Sequence, residues 1–432
     1  MNPTYSLTPK GCLKNKLLGI KSRLDMNIRT KSFVIAIGYG FAAGALAALV
    51  LYLMQSVQHL LWSHDYGNHP GYIFTVITIG GAILAWIQHY RHQGTAGDGS
   101  VQQQLHALHS PLQAKKRDTL LIAVSAIIAV GFGGAVGPEA GLLAVAAGCS
   151  AIISLLLAAS QQEQRLIRDT GAVAALSGLY GAPPGAAILV DEQANGQIDA
   201  QATPLVLKFL AAVCGLSGFW FSHQWLTHGD FQALPLPDYT QTGSDAVTAL
   251  PTALCGALLG LLYLKLHHKM PQWLAHIGSP SRQILVASII FAAMAACFPL
   301  LRFSGHHEMA HALEHSIQLG FWGLLALALG KVLAMTLCLC GGWRGGEFFP
   351  AIFAAAALAA AVHLLVPAIP LTVAIVSAAG AMATVCMGKP IAVLLIMLLL
   401  TGLASTGALF AGILLGYAAQ WWYAKYQQHE AA

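Results

Sequence analysis

Charge is what this sequence has least of. Only 9% of its 432 residues are Asp, Glu, Lys or Arg, against roughly 25% in soluble domains. No stretch is polar enough, for long enough, to stand alone as a soluble domain. Cysteine is present at eight positions but never as a CxxC pair. Cys149, Cys214, Cys255, Cys338 and Cys340 fall inside apolar runs, which excludes a disulfide framework or a zinc knuckle and leaves small core residues. Acidic residues number 17, so each one inside an apolar run becomes a functional candidate.

What the chain does have is apolar runs of about 20 residues, recurring between residues 32 and 423. That pattern predicts an all-α polytopic membrane protein embedded in a lipid bilayer. The basic excess, net +5, is concentrated in an amino-terminal arm carrying Lys10, Lys14, Lys16, Lys21, Arg23, Arg29 and Lys31. Such an arm before a first span reads as a positive-inside signal and not as a nucleic-acid patch, placing the amino terminus in the cytoplasm. The first apolar run continues past Met54 without a small-residue cleavage site, so a retained span is expected. The expected organisation is a cytoplasmic arm (1–31), a first transmembrane repeat (32–222), a polar connection (223–245), a second repeat (246–423) and a polar tail (424–432). The expected location is the cell membrane, the inner membrane if the source is bacterial.

The organising stretch is VGFGGAVGPEAGLL, residues 130–143. Its glycines and Pro138 cannot continue a helix, whereas Ala140 onward reads as a fresh one. Glu139 therefore stands at a helix start, where unpaired N–H groups and the positive end of the macrodipole make an anion site. An acid there either caps the helix or competes with an anion for the same amides. The second half repeats the theme: Gly345, Gly346, Glu347, Phe348, Phe349 and Pro350 open an Ala-rich run. A further break follows each acid, at Tyr180-Gly181-Ala182-Pro183-Pro184 and at Met387-Gly388-Lys389-Pro390. These breaks fall 44 and 43 residues after Glu139 and Glu347. Paired interruptions of this kind point to a midplane binding site between inverted repeats of broken helices.

These motifs resemble the CLC family of chloride channels and proton-coupled anion antiporters, and the likeness extends over most of the chain after Gly94. The family's GxEGP motif matches Gly137, Pro138 and Glu139, with Ala140 for the second glycine. Its GGIFxP motif matches 345–350, with Glu347 for the isoleucine and Arg344 three residues earlier. Its NAPLAG break is similar to 181–185. Its GSGIP motif aligns with Gly97-Asp98-Gly99-Ser100-Val101, where Asp98 takes the serine position and Ser100 is an alternative donor.

The resemblance implies a homodimer with one pore per subunit, a transported inorganic anion, chloride by default, and no cofactor beyond the anion and protons. It also implies that Glu139 is the gating, proton-accepting glutamate. Gly97, Asp98, Gly99, Ser100, Gly137, Pro138, Gly346, Glu347, Phe348 and Phe349 are its implied anion site. The inner proton glutamate of the antiporters aligns with Gln193, which leaves Glu192, beside Asp191, as the candidate acceptor. Tyr417 is the candidate pore tyrosine, and Trp421, Trp422 and Tyr423 read as an interfacial belt. No nucleotide-binding tail of the kind many members carry is expected. Lys208 and Lys331, inside apolar spans, would pair with acids or, more commonly for such lysines, snorkel.

A rival constellation lies at His307-Glu308-Met309-Ala310-His311, which fits HExxH, with His315 following and His306 preceding. On a continuous helix His307, His311 and His315 share a face, the ligand geometry of a membrane zinc peptidase with Glu308 as base. The same run also reads as a water-facing, His-rich helix able to bind protons or a metal.

Overall fold

In the computed structural model the described residues are 30–90, 116–192, 203–227 and 234–430. Fifteen helices carry the fold among them. The first repeat contains α1 (Gly40–Trp62, preceded by one π-helical stretch, Ile35–Tyr39), α2 (Pro70–Tyr90), α3 (Lys116–Gly131) and α4 (Glu139–Leu157). It continues with α5 (Gln161–Tyr180), α6 (Pro183–Leu189) and α7 (Leu205–Thr227). The second contains α8 (Leu250–Ala275), α9 (Pro280–Cys297), α10 (Glu308–Glu314) and α11 (Ser316–Cys340). After these come α12 (Phe348–Leu365), α13 (Leu371–Met387), α14 (Pro390–Leu400) and α15 (Thr406–Glu430). Among the described residues eight helices are long and apolar enough to cross a bilayer, while α13 and α14 are apolar but shorter.

Short helices survive at membrane depth because protein surrounds them. The whole of α13 from Thr372 to Met387 is buried, as is most of α12. Leu155, Leu156, Trp86, Trp220 and Leu414 are exposed instead, an apolar surface of the kind that faces lipid. Packing between spans uses small residues, since lipid tails leave little hydrophobic drive for helices to associate. At the α1–α7 contact a Cβ on Gly44 would overlap the carbonyl of Gly215, so only glycine permits that approach. Gly40 meets Ala211 one turn earlier, which makes α1 and α7 parallel neighbours.

The internal repeat is explicit in the backbone. Helix α5 ends at Gly181 (φ 63, ψ 20), followed by Ala182 (φ −130, ψ 76) and the Pro183 that opens α6. Helix α13 ends at Gly388 (φ 65, ψ 19), followed by Lys389 (φ −132, ψ 76) and the Pro390 that opens α14. The left-handed cap suits glycine and the missing N–H suits proline at a helix start, so the sequence motif encodes the break directly. Gly137 and Gly346 exchange backbone hydrogen bonds, each N–H donating to the other's carbonyl at 2.8 Å. That reciprocal pair joins the two halves where their central helices begin.

Neither buried lysine snorkels, contrary to the commoner expectation. Lys331 is fully buried in α11 and its ammonium donates to the carbonyls of Leu301 (3.1 Å), Arg302 (2.9 Å) and Phe303 (2.7 Å). Lys208, equally buried in the first turn of α7, pairs with Asp191. Arg302 in turn donates to the carbonyl of Gly67 (3.0 Å) and the side chain of Asn68 (2.7 Å), and lies over the Trp62 ring. The α9–α10 linker is thereby fastened to the α1–α2 turn. Such long-range partners cannot be read from local sequence.

Candidate functional site

Helix α4 begins at Glu139 and α12 at Phe348, so the two starts meet across the Gly137–Gly346 pair. Glu347 is the residue before α12, the place Pro138 holds before α4. The structural counterpart of Glu139 is thus Phe348, and the second acid of the sequence repeat is one residue out of register with the first.

The Glu139 side chain is fully buried and reaches across to the other repeat. The backbone N–H of Phe349 donates to its Oε1 at 3.4 Å, long for such a bond, and Oε2 has no hydrogen-bond partner. A carboxylate thus lies at the amino-terminal end of α12, where the backbone amides and the helix dipole favour negative charge. A Cβ at either Gly137 or Gly346 would overlap the carboxylate, so the glycines let the backbone approach an anion closely. The sequence placed Gly137, Pro138, Glu139, Gly346, Glu347, Phe348 and Phe349 in one site, and they do lie together. Gly97, Asp98, Gly99 and Ser100, like Gln193, lie outside the described residues.

Tyr180 is the residue the sequence reading passed over as part of the site. It is the last residue of α5, its ring packs on Phe348 (5.0 Å) and Phe349 (5.8 Å), and its hydroxyl is buried without a partner. A buried hydroxyl left unpaired is costly unless something else is meant to meet it. Its signal was available, a tyrosine directly before the Gly181 cap. Tyr417, one candidate for a pore tyrosine, is exposed on α15.

Glu192, the candidate acceptor, is buried against the second repeat. It is 2% exposed and both its oxygens accept from the start of α14, Oε1 from Ile391 N–H (2.8 Å) and Oε2 from Ala392 N–H (2.7 Å). The acid after the first repeat's break therefore caps the helix after the second repeat's break. Lys389 reciprocates, donating to the carbonyl of Leu189 at 2.6 Å.

The HExxH residues are not assembled for a metal. Among the described residues no group of three or more His, Cys, Asp or Glu is placed to hold one. Helix α10 is only seven residues, so His307 and His315 are its two end positions and no three of the imidazoles converge on one point. His311 and His315 stack on each other at 4.2 Å, His307 packs on His306 at 5.2 Å, and Glu308 interacts with Arg302 and Lys331.

A polytopic helical protein with two inverted repeats, whose broken helices meet at a buried site, belongs with membrane transport proteins. The particular family follows from comparison. The family described as voltage gated chloride channel matches residues 80–420, and the chain belongs to that family, whose members transport anions. It is similar to YfeO of Escherichia coli O7:K1 (strain IAI39 / ExPEC), a protein assigned to ion transport, at 25% identity over 79% of this chain and 81% of that protein. The fold matches a slow cyanobacterial Cl−/H+ antiporter with a TM-score of 0.75 at 17% identity, covering 90% of this chain and 94% of the other. It also matches a CLC-type fluoride/proton antiporter with a TM-score of 0.72 at 15% identity, covering 90% and 96%.

Proposed function

We propose that this protein carries a small inorganic anion across the cell membrane through the site between α4 and α12, with Glu139 as its gate. The observation that carries the reading is the Glu139 carboxylate lying at the start of α12, weakly held at 3.4 Å and half unpartnered. Ionised, it fills the anion's place and closes the path. Protonated, it loses its attraction to the amides and yields that place, so a proton and an anion compete for one position. The anion would then exchange its water for the fixed dipoles of the helix starts, with the Tyr180 hydroxyl as a further donor.

Glu192 bears on the transport mode. With both oxygens accepting from α14 amides it is placed as the cap of that helix, although burial outweighs those bonds and holds its carboxyl above its ordinary value. The cap geometry, with neither oxygen left over, favours a proton-gated anion path over obligatory exchange. The exchange reading has its own support, since two of the solved proteins sharing the fold are named as anion/proton antiporters. A homodimer with one path per subunit and a cytoplasmic amino terminus belong to the same proposal.

The test is efflux from proteoliposomes across halides and nitrate, with internal pH recorded at the same time. Anion efflux without stoichiometric proton counterflow is the expected result. Counterflow would establish the antiporter, and no efflux of any anion would overturn the transport reading.

A further inference from the structure

A cavity of about 290 Å³ lies directly against the gate. Pro138 and Phe349, which flank Glu139 in the two repeats, form part of its wall. Its polar lining includes Gln55, Gln58, His223, Ser304, His306 and His307, with Thr227 beside them, and none of the described residues lining it is acidic. Neutral imidazoles also bind metals, but among the described residues no three such groups are placed to hold one, and ring N–H, amide and hydroxyl donors without a carboxylate suit an anion. One imidazole nitrogen, Nδ1 of His223, is buried without a hydrogen-bond partner.

The cavity lies on the face of the protein away from Glu192. Helix α7 starts near Glu192, where Lys208 pairs with Asp191, and its last turns bring His223 to the cavity. Helix α14 repeats this, capped by Glu192 at its start and lining the cavity with Leu400 at its end.

The histidines are held in place. Lys331 fixes three successive carbonyls, 301–303, and Gly305 turns the chain at φ +89 where a Cβ would overlap Phe353. That turn sets His306 edge-on to Phe349 at 5.0 Å. A rigid scaffold presenting side chains to a gate is what a binding site needs.

Taking the Glu139 gate as given, we infer that this cavity is a second anion site. There His223, His306 and His307, when protonated, hold a halide or nitrate ion before it reaches the place occupied by the Glu139 carboxylate. The charged groups around it are few: α7 contributes His223 alone, α1 only the two glutamines, and α4 the Glu139 behind the wall. The α9–α10 region adds Glu308, next to His307 in the chain, which attracts Arg302 and Lys331 and keeps one buried oxygen, Oε2, without a hydrogen-bond partner.

The test uses the full-length protein in the Glu139→Gln background, so that the gate no longer titrates. From the cavity side, apparent affinity for chloride should tighten about tenfold between pH 7.5 and 5.5, the effect of one added nearby charge. In His223→Gln/His306→Gln/His307→Gln that tightening should vanish, while affinity from the opposite side shows no such change. Should the triple variant fail to fold, His306→Gln carries the same prediction at smaller size. As a readout independent of transport, crystals grown in bromide at pH 5.5 should show an anomalous peak among the three imidazoles that the His306→Gln variant weakens. An unchanged pH dependence in the variants, or no bromide in the cavity, overturns the inference. Absence of all flux with a bromide peak present would overturn the transport reading and leave this site standing.

Discussion

Replacing Glu192 separates a helix cap from a proton carrier. Its carboxylate accepts the Ile391 and Ala392 N–H groups at 2.8 and 2.7 Å and is 2% exposed. Glu192→Ala leaves two buried donors unsatisfied at the start of α14, at about 1–3 kcal/mol each. Part of that is recovered where water enters, so a loss of about 2–4 kcal/mol is expected. Glu192→Gln keeps one acceptor oxygen but opposes an NH₂ group to the second amide, and should lose about 1–2 kcal/mol, the usual size of a cap. Reversible denaturant titration in detergent micelles reads the stability, and proteoliposome efflux with internal pH reads the transport. The cap account expects both variants to be less stable in that order, with anion efflux retained in Glu192→Gln. If Glu192→Gln keeps full stability while abolishing a proton flux that the unmodified protein has, the residue is a proton carrier and the reasoning is refuted.

Gly346→Ala should push the Glu139 carboxylate out of its place, because the new methyl overlaps it. Efflux should rise at neutral pH and lose much of its pH dependence, measured in the same liposomes. Lys331→Met removes donors from three buried carbonyls, and although the cost of burying the ammonium also disappears, a net loss of about 2–4 kcal/mol is expected. A change below about 0.5 kcal/mol in micelle titrations would mean that the α9–α10 linker is held by something else. Tyr180→Phe should weaken anion affinity severalfold, with little loss of stability because the hydroxyl has no protein partner; equal affinity would remove Tyr180 from the path. At the surface, Lys31 donates to Glu163 at 2.8 Å in the first turn of α5, and with the Ala159 N–H it holds that carboxyl below its ordinary value. A depressed carboxyl stabilises above its unfolded value, about 4.3, and that share is lost as pH falls through the folded value. Lys31→Met should therefore show a smaller drop in unfolding midpoint on acidification below about pH 4.

The helix starts and breaks were legible in the sequence because glycine and proline encode them locally. Gly181 and Gly388 take the left-handed caps, Pro183 and Pro390 open the next helices, and Glu139 stands at the start of α4 as its composition required. What stayed hidden depends on contacts between distant parts of the chain. Glu192 was legible as an acid after the first break, but its partner, the start of α14 about 200 residues on, was not. Lys331 looked like a snorkelling residue because the carbonyls it binds belong to an irregular linker some 30 residues away. The HExxH pattern misled in the opposite direction, since a regular helix was assumed where α10 has only seven residues. The one-residue offset between Glu139 and Glu347 arose because matching acids by letter ignored that Pro138 and Glu347 hold the same position before their helices.

The most direct measurement of the central claim is chloride efflux from proteoliposomes containing Glu139→Ala, followed from pH 4.5 to 7.5 beside the unmodified protein. Removing the carboxylate from the start of α12 should leave efflux that no longer varies with pH, whereas the unmodified protein slows as pH rises. If Glu139→Ala keeps the pH dependence of the unmodified protein, Glu139 is not the gate.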